Sequence, residues 1–82
     1  MNESALAWVP VAAALPAVDT RARYASGFVL VYEVYEVFDG QIGVPPVIEV
    51  AYYDFERTQW RARYGPLSGR VTRWQRLPAP PV

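Results

Sequence analysis

The stretch VIEVAYYDFERTQWRARY, from Val47 to Tyr64, decides the fold class of this chain. Its first part, Val47 to Tyr53, is rich in β-branched and aromatic residues, which favour strands. Its last part, Thr58 to Tyr64, alternates apolar and polar residues with a period of two, as a strand with one wet face does. The alternation predicts Trp60, Ala62 and Tyr64 on the inner face and Gln59, Arg61 and Arg63 on the outer face.

A hairpin and a longer strand extend this pattern. Asp54 to Arg57 is short enough to connect two antiparallel strands, and Asp favours a turn at that position. Phe28 to Phe38 is the longest strand candidate and contains a triplet repeat, VYE-VYE-VFD, from Val31 to Asp39. A period of three conflicts with the period of two of a strand. Either this strand is aromatic on both faces, or a β-bulge near Glu33 resets its phase.

The remaining segments are short or rich in glycine and proline. Val11 to Leu15 allows one helical turn, which Pro16 ends. Ala17 to Gly27 and Asp39 to Pro46 are predicted loops, and residues 65–69 are a predicted turn. Val71 to Trp74 is predicted as a short edge strand, and Leu77 to Pro81 as an extended polyproline tail.

We therefore predict a mainly β fold, with a small α+β fold as the alternative. The sheet is a single antiparallel one of three to four strands, followed by a proline-rich extended C-terminal tail. The 82 residues form one domain over 1–82, with frayed ends at 1–6 and 79–82. With no cysteine to form disulfides, the core must hold the fold alone, and Trp60 is expected within it.

The composition argues against an enzyme. The chain has no His, Cys or Lys, which removes the usual general base near neutral pH, the thiol nucleophile, the Schiff-base amine and the nitrogen and sulfur ligands of zinc. Carboxylates remain that could hold Mg²⁺ or act as a glycosidase pair, but solvated strand edges and turns are the favoured interpretation. They are Asp39, Asp54, Glu56, Glu33, Glu36 and Glu49. We predict no catalytic residue, no cofactor and no metal.

Charge is segregated along the chain although the net charge is zero. Residues 1–56 hold all eight carboxylates and two arginines, and residues 57–82 hold the other six arginines. One interpretation is that acidic and basic strands pair within one sheet, which is a common source of sheet stability. The other is a basic face that binds nucleic acid or an acidic partner. The first is favoured.

No targeting segment is expected. Residues 4–18 are apolar and rich in alanine, but Glu3 stands where a signal peptide has basic residues, and Pro10 and Pro16 interrupt the run. The run is also shorter than the roughly 20 residues that span a bilayer. We expect a cytoplasmic protein that does not bind a membrane.

Several motifs together resemble a family of small bacteriophage and prophage proteins, domain-of-unknown-function family 551. The order W-x-P, L-P, V-L-V-Y, V-A-Y-Y-D and V-T-x-W-x-x-L-P-x-P-P is kept over nearly the whole chain. It appears here at Trp8–Pro10, Leu15–Pro16, Val29–Tyr32, Val50–Asp54 and Val71–Pro81. Arg73 and Gln75 replace the family's usual His and Met, so no role of those residues carries over. The segment after Tyr32 is also expanded.

This resemblance implies a phage-encoded accessory protein without an assigned activity. Phage proteins of this size often block a host defence or regulatory protein, such as a component of a CRISPR-Cas system. The implied partner is therefore a bacterial host protein or a protein–nucleic acid complex, in the cytoplasm of the host.

The predicted partner-binding surface is the outer sheet face. If Tyr52 points inwards, Tyr53 points outwards beside Arg61 and Arg63, and tyrosine and arginine are enriched at binding hot spots. Glu33, Tyr35 and Glu36 extend this predicted surface. The exposed edge of the long strand offers a second way to bind, by strand addition.

The alternative is a nucleic-acid-binding protein. It would use Trp74 as a stacking group and the arginines of the last third of the chain. They are Arg57, Arg61, Arg63, Arg70, Arg73 and Arg76. A sequence pI near 6.1 makes this alternative less favoured.

Overall fold

A computed structural model describes residues 7–36 and 43–78. The predicted frayed ends, the last part of the triplet repeat and the first part of the Asp39–Pro46 loop lie outside these ranges. Six strands form one sheet in the order β1-β6-β2-β3-β4-β5, and each neighbouring pair is antiparallel. The strands are β1 (Val9–Pro10), β2 (Val29–Val34), β3 (Val47–Asp54), β4 (Gln59–Ala62), β5 (Gly65–Pro66) and β6 (Arg70–Arg76).

The mainly β class and the single antiparallel sheet are confirmed, but the prediction of three to four strands is too low. The two additional strands, β1 and β5, have two residues each and contain Pro10 and Pro66. Proline lacks an N–H for the ladder, so such segments carry no strand signal in the sequence, yet they fit at an edge. Both edges of the sheet are therefore short and carry a proline, which disfavours strand addition.

The β3–β4 hairpin forms as predicted, closed by the Asp54 side chain. Its Oδ1 accepts the N–H groups of Glu56 and Arg57, each at 3.0 Å, and its Oδ2 accepts Arg57 Nη1 at 3.0 Å. These bonds satisfy the turn's backbone donors locally, which is the reason Asp favours this position.

β2 lies in the middle of the sheet, between β3 and β6. Its edges are therefore occupied, and the prediction that the long strand offers an open edge is wrong. The predicted edge strand at Val71–Trp74 is also wrong, because β6 is a seven-residue interior strand between β1 and β2. A register shift does occur between Tyr32 and Glu33. The extra residue is Thr72 of β6, so β2 itself keeps a period of two.

The core lies on one face of the sheet. Val29, Val31, Ala51 and Val71 are buried there, and a ring of partly buried residues packs around them. That ring consists of Val11, Trp60, Leu67 and Trp74. Trp60 thus packs on the core as expected but is half-buried rather than buried, because it stands on the short strand β4 near the edge.

The connecting segments pack against the sheet without regular structure of their own. The described residues contain no helix, and the predicted helical turn is a hydrogen-bonded turn in which Ala13 and Ala14 N–H donate to Pro10 C=O. The predicted loop before β2 packs against the end of β3, where Ser26 N–H donates to Tyr53 C=O at 2.9 Å. No helix in the described part of the chain is long and apolar enough to cross a membrane.

Candidate binding surface

The face opposite the core gathers four arginines. Residues directly paired in an antiparallel sheet point their side chains to the same face. Tyr52 pairs with Arg61, Tyr32 with Arg73 and Val34 with Arg70. Because side chains alternate along β2 and β3, these partners lie on the face away from the core. Arg63 belongs to the same face, since its guanidinium lies over the Phe28 ring at 5.7 Å. We call this surface the arginine face: Arg61, Arg63, Arg70 and Arg73, with Leu30, Tyr32, Ile48, Val50 and Tyr52.

The centre of the arginine face is apolar and open. Leu30 pairs with Val50, and Tyr32 pairs with Ile48, so these side chains form a continuous patch across β2 and β3. Ile48 is 57% exposed and Val50 is 44% exposed, since no second layer of the described chain covers them. Contiguous exposed apolar patches of this kind mark interaction sites on soluble proteins.

Two aromatic pairs flank this centre, and each has an arginine beside it. On one side the Phe28 and Tyr52 rings meet edge to face at 5.3 Å, below Arg63, and border a shallow groove of about 580 Å³. On the other side Trp8 and Tyr32 meet at 6.1 Å and, with Arg73, line a hollow of about 310 Å³. The face therefore offers apolar, aromatic and cationic contacts together.

The arginines of this face are not neutralised by paired carboxylates. Among the described residues the ion pairs are Arg21–Asp19 and Arg57–Asp54, and both are local contacts rather than cross-strand pairs. Arg61 instead donates from Nη1 to Gln59 Oε1 at 2.7 Å. The strands that carry carboxylates, β2 and β3, do pair with the arginine-bearing strands β6 and β4, as the favoured interpretation of the charge segregation expects. Among the described residues, however, no ion pair joins these strands.

The predicted partner-binding residues do not lie on one surface. Arg61 and Arg63 lie on the arginine face as expected. Tyr53 does not join them, because its register partner is Trp60 and the two rings pack edge to face at 5.2 Å on the core face. The expectation that Tyr52 points into the core is wrong. Tyr52 pairs with Arg61 on the arginine face, and because neighbouring residues of a strand point to opposite faces, Tyr53 points to the core.

The other predicted extension residues lie near the end of β2. Glu33 is fully buried on the core face, so no partner can contact it in this conformation. Tyr35 follows β2 and is half-buried near Ser68, while Glu36 is exposed. Tyr64 also departs from the prediction: β4 ends at Ala62, and Tyr64 is 71% exposed beyond it. A partner-binding role for Tyr35 and Glu36 stays a prediction.

The stacking role assigned to Trp74 does not fit its position. Trp74 pairs with Val31 and Val9, packs against the core, and donates from Nε1 to Ala14 C=O at 2.8 Å. Phe28, Tyr32 and Trp8 are the aromatic residues that the arginine face presents instead. The local sequence does not show these orientations. Phe28 and Tyr32 point to this face because the pairing of β2 with β3 and β6 puts Val29 and Val31 in the core, and Trp8 packs on Tyr32.

Two carboxyl groups on the core face interact closely. Burial, followed by hydrogen bonding to Glu49, raises the pKa of the Glu33 carboxyl. Hydrogen bonds from Glu33 and from the Tyr64 hydroxyl lower the pKa of Glu49. The same Glu49 contact raises the pKa of Tyr64 to about 12. Within residues 7–36 and 43–78, no group of three or more His, Cys, Asp or Glu side chains is placed to hold a metal ion.

Comparison with known proteins identifies no relative: no family model, no curated protein and no solved structure matches this chain.

Proposed function

We propose that this chain is a non-enzymatic accessory protein that binds and blocks a host protein through the arginine face. The observation that carries the proposal is the arrangement of that face. An exposed aliphatic centre at Ile48 and Val50 lies between arginines that have no carboxylate within 4.0 Å among the described residues.

The distribution of apolar and charged groups favours a protein as the partner. Protein interfaces combine an apolar centre with a polar rim, and arginine and aromatic residues supply most of their hot spots. Ile48 and Val50 have no π-face for a base and no donor for a phosphate, so covering them favours an apolar partner surface. The complementary partner carries an apolar patch bordered by Asp and Glu side chains.

The resemblance to small phage proteins supports a bacterial host protein, or a protein–nucleic acid complex such as a CRISPR-Cas effector, as the target. The absence of His, Cys and Lys from the sequence supports binding rather than catalysis. The resemblance and the composition favour a class of function, whereas the arginine face indicates where on the molecule the partner binds.

The first experiment introduces a charge into the centre of the face. Val50→Glu should abolish capture of a specific host protein from bacterial lysate and weaken binding of that purified protein on the order of thirtyfold, as loss of a hot spot does. Val44→Glu is the matched control, because Val44 is also an exposed valine but precedes β3. Circular dichroism and thermal unfolding verify that both variants fold.

A second pair of variants tests the arginines. Arg61→Ala combined with Arg63→Ala should weaken binding and reduce its salt dependence, whereas Arg76→Ala, at an exposed position on the opposite face of the sheet, should leave both unchanged. A host protein that binds wild type, Val50→Glu and the double arginine variant equally would contradict the proposal.

One observation favours nucleic acid as a second candidate partner: the two aromatic pairs of the face each have an arginine beside them. Stacking of bases on aromatic rings along a basic groove is typical of single-strand binders. Fluorescence anisotropy with a labelled single-stranded oligonucleotide tests this candidate. Affinity that falls with salt with a slope of about −0.7 per phosphate contact, and that the uncharged change Val50→Ser hardly alters, would favour nucleic acid over protein.

A further inference from the structure

Two glutamates lie side by side on the core face, where a small sheet normally has only apolar side chains. Glu33 of β2 pairs with Val47, and Glu49 of β3 pairs with Val31, so the two carboxyl groups are diagonal neighbours. Glu33 is fully buried. Ionising both groups would place a buried negative charge on Glu33 beside a second one on half-buried Glu49, which is unfavourable.

The hydrogen bonds around the pair leave one oxygen without a donor. Glu33 Oε2 accepts the Gly69 N–H at 2.6 Å, and Glu49 Oε1 accepts the Tyr64 hydroxyl at 2.6 Å. Glu33 Oε1 is buried and receives no hydrogen bond from a donor in the described part of the chain. A proton on Glu33 removes this deficit, because a carboxylic acid donates from its O–H and Glu49 is the acceptor beside it.

The groups facing the pair contribute no positive charge. Tyr35 follows β2, and burial, followed by the Glu33 contact, raises the pKa of its hydroxyl. Tyr64 follows β4, and the Glu49 contact raises the pKa of its hydroxyl, so both tyrosines are neutral near pH 7. From β6 the residue opposite Glu33 is Val71. No arginine forms an ion pair with Glu33 or Glu49 among the described residues. With no positive charge nearby, a proton held between Glu33 and Glu49 would keep the two carboxyl groups from repelling each other.

The loop before β6 is packed tightly onto Glu33. A Cβ at Gly69 would lie 2.6 Å from the Val34 carbonyl oxygen and 2.7 Å from Glu33 Cγ, so only glycine allows this approach. We propose that Glu33 and Glu49 share one proton and form a pH-sensitive latch that holds the Leu67–Gly69 loop against β2. Loss of the proton leaves two adjacent carboxylates. The Gly69 N–H bond favours ionised Glu33, but burial and the neighbouring Glu49 outweigh it, so ionisation on balance releases the loop and loosens the start of β6 at Arg70.

The contributions of Glu33 and Glu49 to folding stability depend on pH in opposite directions. The pKa of Glu33 is higher in the folded chain, so its stabilising contribution is complete at acidic pH and is lost as pH rises through that raised pKa. The pKa of Glu49 is lower in the folded chain, so its contribution is lost as pH falls through that lowered pKa. The latch is closed between these two pKa values.

Carboxyl ¹³C chemical shifts followed against pH test the shared proton directly. Glu33 should titrate above the ordinary glutamate pKa of about 4.3 and Glu49 below it, in two coupled steps. Tyr64→Phe removes a donor to Glu49 at an exposed site, so it should raise the pKa of Glu49 without unfolding the chain. Two carboxyl groups that titrate independently at the ordinary value would overturn the proposal.

Hydrogen exchange at the Gly69 amide tests the latch. The protection factor, which corrects for intrinsic exchange, should fall by up to about tenfold per pH unit as pH rises to the Glu33 pKa. Glu33→Gln imitates the protonated acid and should abolish this fall, whereas Glu36→Gln, an exposed carboxylate after the same strand, should retain it. Protection at Gly69 that does not depend on pH in the wild type would overturn the latch, whatever the chain binds.

Discussion

At the scale of single residues, Thr58 has the least favourable backbone conformation in the β3–β4 hairpin. Its φ is 51°, in the left-handed region that β-branched residues rarely adopt. The turn imposes this value, since Asp54 holds the preceding N–H groups and β4 begins at the next residue. Non-glycine residues held in this region store about 1–3 kcal/mol of strain.

Replacing Thr58 should therefore stabilise the protein. Asparagine tolerates the left-handed region, and Thr58→Asn should raise the free energy of unfolding by about 1 kcal/mol. Urea unfolding monitored by tryptophan fluorescence provides the measurement. Thr20→Asn, at an exposed turn outside that region, is the matched control and should change stability little. Destabilisation by Thr58→Asn would show that the Thr58 hydroxyl bond to Arg57 C=O outweighs the strain.

At the scale of elements, the β3–β4 hairpin is held by a charged side chain. The Arg57 backbone N–H, followed by the Arg57 guanidinium and the Glu56 N–H, lowers the pKa of Asp54 despite the burial that opposes it. A carboxyl group with a lowered folded pKa stabilises the fold above its unfolded pKa. That contribution is lost as pH falls through the folded value.

Asp54→Asn should accordingly flatten the loss of stability in acid. The amide oxygen of the asparagine can still accept hydrogen bonds from the two turn N–H groups, but the neutral side chain cannot form an ion pair with Arg57. The midpoint of thermal unfolding, followed from neutral pH into acid, should decrease less steeply for Asp54→Asn than for wild type. Glu56→Gln removes a charge from an exposed position of the same turn and should keep the wild-type slope. Equal slopes for wild type and Asp54→Asn would contradict this role of Asp54.

At the scale of the whole molecule, the sheet has two chemically different faces. One face holds the small core, the tryptophans at positions 60 and 74, and the Glu33–Glu49 pair. The other is the arginine face, whose aliphatic centre is open to solvent. Stability and binding should therefore depend on different tryptophans.

Trp60→Ala should lower the free energy of unfolding by about 2–3 kcal/mol, near the lower end for large core aromatics because Trp60 is half-buried. Trp8→Ala, on the side of the arginine face, should cost less and act mainly on partner binding. Chemical denaturation of both variants measures the difference. A cost below about 1 kcal/mol for Trp60→Ala would contradict the assignment of the core to its face.

The sequence by itself determined the elements that depend on local patterns. Alternation from Thr58 to Tyr64 placed Ala62 inwards and Arg61 outwards, and turn chemistry placed the hairpin at Asp54. Both succeed because the information lies within a few neighbouring residues. The same patterns indicated the mainly β class and the single antiparallel sheet.

Only the tertiary structure decided the rest, because it depends on pairing between distant segments. The face of Tyr53 follows from the partners of β3. The interior position of β6 follows from its pairing with β2, in which Glu33 meets Val71. The proline-bearing edges gave no strand signal because proline has no N–H for the ladder. Register with a distant strand selects the buried face, and a one-residue change in register exchanges the two faces. The strand register therefore brings the arginines together on one face and places Glu33 beside Glu49 on the other.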